Sequence, residues 1–397
     1  FLAACRFARH QMTDHFTDNP VDDQLALLAG EVFESLAVQF PIFMASDEFH
    51  FFPQARARAF DWSRWDDFSP TGLADVIGKL TRWEHDLGLQ PCHPTPSAHA
   101  IDAAMLRRVI LTLRDQLSVV KVHETQPTFY LTIVGIGLAE ALEAGSQALA
   151  ARLKHLPEFL DQARRTLKHI PGLFRDLGID MLVKQRHWLA SLQLLEAYRA
   201  PIIDAFQRLD GHLRQIPVVK DFRLPTTLYE LIAAEHMGCL LTPDEIEHEL
   251  TQEIEETREI LDQSAASMAP GRPWQSVVDA LSRPPMPSGG VQQLYRNTIF
   301  ELARHCSSQG LITADEVNQC PVTVQGIPDY MRPVRSNAAY RMPPIHPPSS
   351  GTFFILETGQ GATIPADYRL LTAHETYPGH HLLDTGRWRH PRPVRRH

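Results

Sequence analysis

The chain has 397 residues, 44% hydrophobic and 21% charged, as a folded globular protein does, which excludes a disordered chain, a collagen or a coiled-coil rod. Lys and Arg total 38 against 47 for Asp and Glu, a formal net charge of −9. This excludes nucleic-acid binding as the main role, because phosphate recognition needs clustered surplus cations.

Most of the chain reads as helix. Residues 25–40 carry apolar side chains at three- and four-residue spacing, the pattern of a helix packed on a core. Residues 100–118 repeat it, with Ile101, Met105, Leu106, Val109, Ile110 and Leu113 on the expected buried side. The most apolar segment, residues 129–138, is too short to span a bilayer and runs into Glu140 and Glu143, so it predicts a buried helix and no membrane association. Trp62, Trp65 and Trp83 read as helix packing, and His123-Glu124 as a structural pair. Thr242-Pro243-Asp244-Glu245 is a helix start with a capping box, opening a helix to about residue 268. Ile246, Leu250, Ile254, Thr257 and Leu261 should face inward, with a solvated glutamate face outside. The run from Pro284 to Gly290 breaks regular structure and divides a helical body, 1–283, from a mixed segment, 284–397. In the second part, Thr313-Ala314-Asp315-Glu316 is another capping box, residues 322–324 read as a short strand, and residues 351–356 as a stronger one. That stronger strand is either an edge strand that pairs with an extended substrate or a plain core strand.

The five cysteines, Cys5, Cys92, Cys239, Cys306 and Cys320, form no CxxC pair and no disulfide framework, which points to a reducing compartment such as the cytoplasm. No secretory signal is visible. The chain opens on Phe1 rather than Met, so a signal lost with the true start remains compatible with it.

The 20 histidines direct attention to metal ligation, and one motif concentrates them: His374-Glu375-Thr376-Tyr377-Pro378-Gly379-His380-His381. A His-Glu pair on a helix followed by a second His is the arrangement of zinc hydrolases. There, two imidazoles four residues apart face one ion and the Glu activates its water. Here the second His lies six or seven residues on. Six residues turn an ideal helix by about 240°, and seven separate two positions by about 10 Å along the axis. Pro378 cannot donate a hydrogen bond to the turn before it, so the helix must bulge or break. A break absorbing two residues would place His380 where the second ligand belongs, leaving His381 as the alternative ligand or a supporting donor. The competing account is a Pro-Gly helix end with incidental histidines.

The octet, with Leu382-Leu383-Asp384 after it, resembles the signature of the domain-of-unknown-function 885 family, bacterial proteins grouped with HExxH-type metallopeptidases. Residues 225–230 followed by 241–246 are similar to that family's central region, and Ala338-Ala339-Tyr340 with Gly351-Thr352-Phe353-Phe354 to its segment before the metal helix. The resemblance implies a mainly α, gluzincin-type zinc-peptidase fold with a small β element before the metal helix. It implies Zn2+ on His374 and on His380 or His381, Glu375 as general base, and a peptide or small amide as substrate. The family's Glu-Gly-Trp stretch, whose Glu is the implied third ligand, does not occur before His397, so the chain is expected to be part of a longer protein, with the catalytic site incomplete and inactive in this part. The rival expectation is a non-catalytic helical binding or scaffold protein with a degenerate zinc site. Tyr340, Arg335 and Arg341 are candidates for holding an oxyanion or a carboxylate. His346, between prolines, reads as a loop residue, and the basic tail from Arg387 reads as a segment deprived of acidic partners.

Overall fold

The computed structural model describes residues 20–46, 48, 49, 52–88, 97–192, 196–281, 286–328, 338–343, 349–356, 364 and 366–397. It is mainly helical, with two small sheets. Helix α1 (Pro20–Gln39) buries Leu25, Ala29, Val32, Phe33 and Leu36, the stripe visible in the sequence. There follow α2 (Pro70–Gly88), α3 (Ala98–Asp115), a π-helical turn (Gln116–Val120), α4 (Val122–Thr125), α5 (Pro127–Ala144), α6 (Ser146–Thr166), α7 (Gly172–Ser191) and α8 (Glu196–Gln215). α5 packs against both α6 and α7, and Phe129, Tyr130, Leu131, Ile133, Val134 and Leu138 are buried around its circumference. A segment apolar on every side thus sits inside the bundle rather than in a bilayer. Among the described residues no helix is long and apolar enough to cross a membrane. One continuous core runs from Leu25 to Leu213 and takes in Val394.

α3 only partly follows its expected pattern. Leu106, Ile110 and Leu113 are fully buried, whereas Ile101 and Met105 are 50% and 42% exposed. The expected apolar arc extends past the buried face by these two residues, of which Met105 lines a cleft described below. Trp65, in the segment before α2, stacks on Phe159 of α6 with ring centroids 4.9 Å apart, and Trp83 of α2 donates to Glu31 of α1 at 3.0 Å, so both are packing residues. His123 is buried against Phe68.

Beyond this bundle lie α9 (Thr226–Leu231), a second π-helical turn (Ile232–His236), α10 (Pro243–Met268) and α11 (Trp274–Asp279). α10 opens with the expected capping box: Glu245 donates its N–H to the Thr242 hydroxyl, and the Glu245 carboxylate accepts from the Thr242 N–H. The inward stripe, however, is a misreading. Leu250 and Ile254 are 57% and 51% exposed, Thr257 is exposed, and Ile246 and Leu261 are half-buried. Periodicity identifies the apolar face of a helix but not whether the same chain covers it.

The remaining helices are α12 (Gly290–Ser308), α13 (Ala314–Gln319), α14 (Tyr368–Glu375), α15 (His380–Arg389) and α16 (Pro393–Arg396). α13 has its capping box, with Thr313 and Glu316 as reciprocal partners. Strands β1 (Ile170–Pro171) and β2 (Val218–Val219) form a minimal parallel pair. The second sheet has β3 (Val322–Gly326) parallel and β4 (Ala338–Arg341) antiparallel to β5 (Gly351–Ile355). β5 is therefore the central strand, buried at every position, and not an edge strand as one reading of the sequence had it. The edge nearest the motif is β4. A second core joins Tyr295 and Ile299 of α12 to Phe353, Ile355 and Tyr377, and a smaller cluster packs Ala139 of α5 against Ile327, Ala339 and Phe354.

The basic tail does have acidic partners. Arg392 and Arg395 both bind the buried carboxylate of Asp102 on α3, the latter at 2.7 Å, and Arg389 binds Glu316 at 2.6 Å. Those partners lie 73 to 293 residues back in the chain, out of reach of any local pattern.

Candidate functional site

α14 ends on His374 and Glu375, and the backbone then departs from helical bonding in a specific way. Thr376 N–H still reaches Thr372 O, four residues back, at 2.9 Å. Pro378 has no N–H to donate. Gly379 N–H reaches Ala373 O at 2.9 Å and Leu382 N–H reaches Thr376 O at 3.2 Å, both six residues back. Two residues are thus absorbed between α14 and α15, and His380 is brought beside His374 with ring centroids 4.8 Å apart and planes at 86°. Gly379 is required for this closeness: a Cβ there would come within 2.6 Å of Ala373 O and nearer still to His374 O. Both imidazoles are exposed, and neither has a hydrogen-bond partner for its ring nitrogens among the described residues.

His381 is placed differently. It is fully buried, with Nε2 2.8 Å from Cys320 O and Nδ1 2.9 Å from the Tyr340 hydroxyl. A carbonyl only accepts, so Nε2 carries the proton and Nδ1 accepts from Tyr340. Burial pushes the imidazole down to about 4, which keeps it neutral. With both nitrogens engaged, His381 anchors α15 to β4 and to the approach to β3. Of the two roles the sequence left open for it, the geometry suits the supporting one. Gly351 of β5 makes room for this couple, since a Cβ there would lie 2.7 Å from His381 Nδ1. Tyr340 also lies parallel to His380, centroids 6.2 Å apart, so one side chain braces both histidines.

Glu375 is half-buried and lines, with Tyr340 and His380, a cleft of about 950 Å3. Ala338 and Ala339 of β4 line it too, while the helical body contributes Arg108, Thr112, Gln116 and His236. Sequence reasoning missed this wall. Its one signal was the four-residue spacing of Arg108, Thr112 and Gln116, which sat inside a segment read as core-facing. Arg341 turns elsewhere, bonding Glu143 at 3.0 Å and covering the Phe354 ring at 5.3 Å. Arg335 and His346 lie outside the described residues.

The two imidazoles, edge to face and with Glu375 next in sequence to His374, are nitrogen donors of the kind that zinc takes, two of the three protein ligands of a catalytic site. Among the described residues no group of three His, Cys, Asp or Glu side chains is placed to hold a metal. Cys239, Cys306 and Cys320 form no disulfide among the described residues, and burial pushes Cys320 up to about 11, unlike an activated nucleophile.

Two solved structures share the fold. One, described as a "putative lipoprotein of unknown function" from Shewanella oneidensis, is 13% identical with a TM-score of 0.56, over 90% of this chain and 70% of its own. Another, described as a "putative lipoprotein" from Colwellia psychrerythraea, is 12% identical with a TM-score of 0.63, over 93% of this chain and 73% of its own. At such identities the likeness concerns the fold. No curated protein matches the chain. The family model described as "Bacterial protein of unknown function (DUF885)" matches residues 55–383, a span holding most of the helical body, the three-stranded sheet and the whole histidine motif, and the chain belongs to that family.

Proposed function

We propose that this chain is a zinc-dependent hydrolase of peptide bonds, in which His374 and His380 are two of the metal ligands and Glu375 is the general base. The observation that carries the reading is the two-residue break that sets His380 against His374, with His380 and Glu375 lining one cleft. The arrangement is that of a gluzincin helix with its second histidine delayed by Pro378 and Gly379. Zinc in such a site supplies a Lewis acid for the scissile carbonyl and lowers the pKa of water. The chain's own residues do the rest. Glu375 takes the proton of the attacking water and delivers it to the leaving amine. The edge strand β4 offers backbone groups to an extended peptide along the cleft. Tyr340, tied to His381 and lying against His380, holds the second ligand in place. A catalytic zinc takes three protein ligands, so the reading requires one from beyond the described residues.

The same chemistry serves other small amides and esters. The cytoplasmic location expected from the cysteines gains no support from the two solved relatives, both described as lipoproteins. A second reading, a non-catalytic binding protein with a degenerate metal helix, is favoured by the presence of only two facing ligands among the described residues. Glu375→Gln separates the two. The hydrolase reading expects zinc to stay bound while hydrolysis of a peptide library falls by at least a hundredfold. Undiminished turnover would remove Glu375 from the mechanism, and no turnover in either chain would leave the binding reading.

A further inference from the structure

The wall that α3 contributes to the cleft is chemically ordered. Arg108, Thr112 and Gln116 recur at four-residue spacing, and Met105 and Val109 form a parallel apolar stripe beside them; all five line the same cleft as Glu375 and His380. Two π-helical turns meet at this wall. Gln116 opens one and His236 closes the other, with Gln116 Nε2 3.4 Å from His236 Nδ1 and Asp115 Oδ2 3.5 Å from His236 Nε2. Gln116, His236 and Asp115 are therefore engaged with one another.

Two arginines line the cleft. Arg387 is bonded to Asp384 at 3.3 Å, whereas Arg108 makes no hydrogen bond or ion pair with any described residue. Its neighbour Arg107 points away toward Glu84, 3.7 Å distant. Arg108 is itself exposed. Its guanidinium lies against Gly238, where a Cβ would collide with it, and Gly238 has a φ of +72°. The left-handed backbone calls for glycine there, while the guanidinium, at the end of a flexible side chain, could give way to a Cβ. The helical body thus holds a cation, without an acceptor among the described residues, in the cleft where Glu375 and His380 lie.

We propose that Arg108 is a carboxylate-recognition residue, which makes the cleft selective for peptides that carry a carboxylate. A guanidinium matches a carboxylate with two parallel N–H···O bonds, a geometry a lysine cannot reproduce. Met105, Val109 and Phe52 supply apolar surface in the same cleft, suited to an apolar side chain near that carboxylate. The carboxylate belongs either to the chain end or to an acidic side chain, and the test separates these sources. The proposal rests on the hydrolase reading for its substrate class, but its binding readout does not depend on turnover.

The test measures binding by calorimetry to the whole chain carrying Glu375→Gln, so that probes are not consumed, with and without Arg108→Gln. The first pair of probes is acetyl-Ala-Ala-Phe as free acid and as amide. The second is acetyl-Ala-Glu-amide and acetyl-Ala-Gln-amide. A charge-assisted pair of hydrogen bonds predicts that the carboxylate member of one pair binds about ten- to a hundredfold more tightly than its neutral partner. The free acid favoured over its amide identifies the chain end; Glu favoured over Gln identifies the side chain. Arg108→Gln should abolish the preference and leave binding of the neutral member unchanged, and Arg108→Lys should restore only part of it. Equal affinities within both pairs, or a preference that survives Arg108→Gln, would overturn the proposal. Absence of turnover in the Glu375-containing chain, with the carboxylate preference intact, would instead count against the hydrolase reading alone.

Discussion

Gly379→Ala tests the geometry on which the site depends. The added Cβ would come within 2.6 Å of Ala373 O and nearer still to His374 O, both backbone atoms, against an ordinary carbon–oxygen contact of about 3.4 Å. Neither carbonyl can swing aside as a side chain would, so the break between α14 and α15 must open. Opening it weakens the Gly379–Ala373 and Leu382–Thr376 hydrogen bonds, at 2.9 and 3.2 Å. At about 1 kcal/mol each, with a further cost for any buried group left unpaired, the variant should be less stable by about 2–4 kcal/mol. The His374–His380 pair should separate with it, and zinc affinity should fall. Gly386, in the same helix α15 with nothing within 4 Å of its Cβ position, provides the control. Gly386→Ala should be neutral or stabilising by up to about 1 kcal/mol. Urea denaturation with zinc titration on both variants reads the difference. If Gly379→Ala matches wild type within about 0.5 kcal/mol and keeps its zinc affinity, the account of the break is wrong.

Other predictions concern the helical body. Burial pushes His123 down to about 4 from an ordinary value of 6.5, so the folded state resists a protonation that the unfolded chain accepts. Its contribution is present above about pH 6.5 and is lost as pH falls toward 4, about 3 kcal/mol in all. Denaturation curves at pH 7 and pH 4 should therefore show His123→Leu losing about 3 kcal/mol less than wild type, and equal losses would contradict this. Asp102→Ala leaves Arg392 and Arg395 without their carboxylate, and should cost about 3–5 kcal/mol and expose the end of the chain to proteolysis. A tail as protease-resistant as in wild type would show that Asp102 does not hold it.

What could be read from the sequence was what local chemistry decides. Thr242 and Thr313 capped helices as their capping boxes said, and the 129–138 segment was buried as its uniform apolarity required. Pro378 and Gly379 announced a helix break, and comparison with the four-residue spacing of zinc helices said that it would have to absorb two residues for His380 to stand beside His374. The misreadings all concern what lies opposite an element. The stripe of α10 has Leu250 and Ile254 facing outward, since spacing names a face and not its cover. β5 was a strand, but its place between β3 and β4 depends on partners far along the chain. Arg108, Gln116 and His236 carried no motif; they become a site only because α3 and the second π-helical turn face β4 and α15 across the cleft.

The central claim is that His374 and His380 hold one zinc ion. Elemental mass spectrometry on the whole chain and on His374→Ala and His380→Ala, each confirmed folded by circular dichroism, tests it directly. The account predicts one zinc per chain in wild type and none in either variant. A zinc content unchanged by both substitutions, or no zinc bound by the folded wild-type chain, would contradict it.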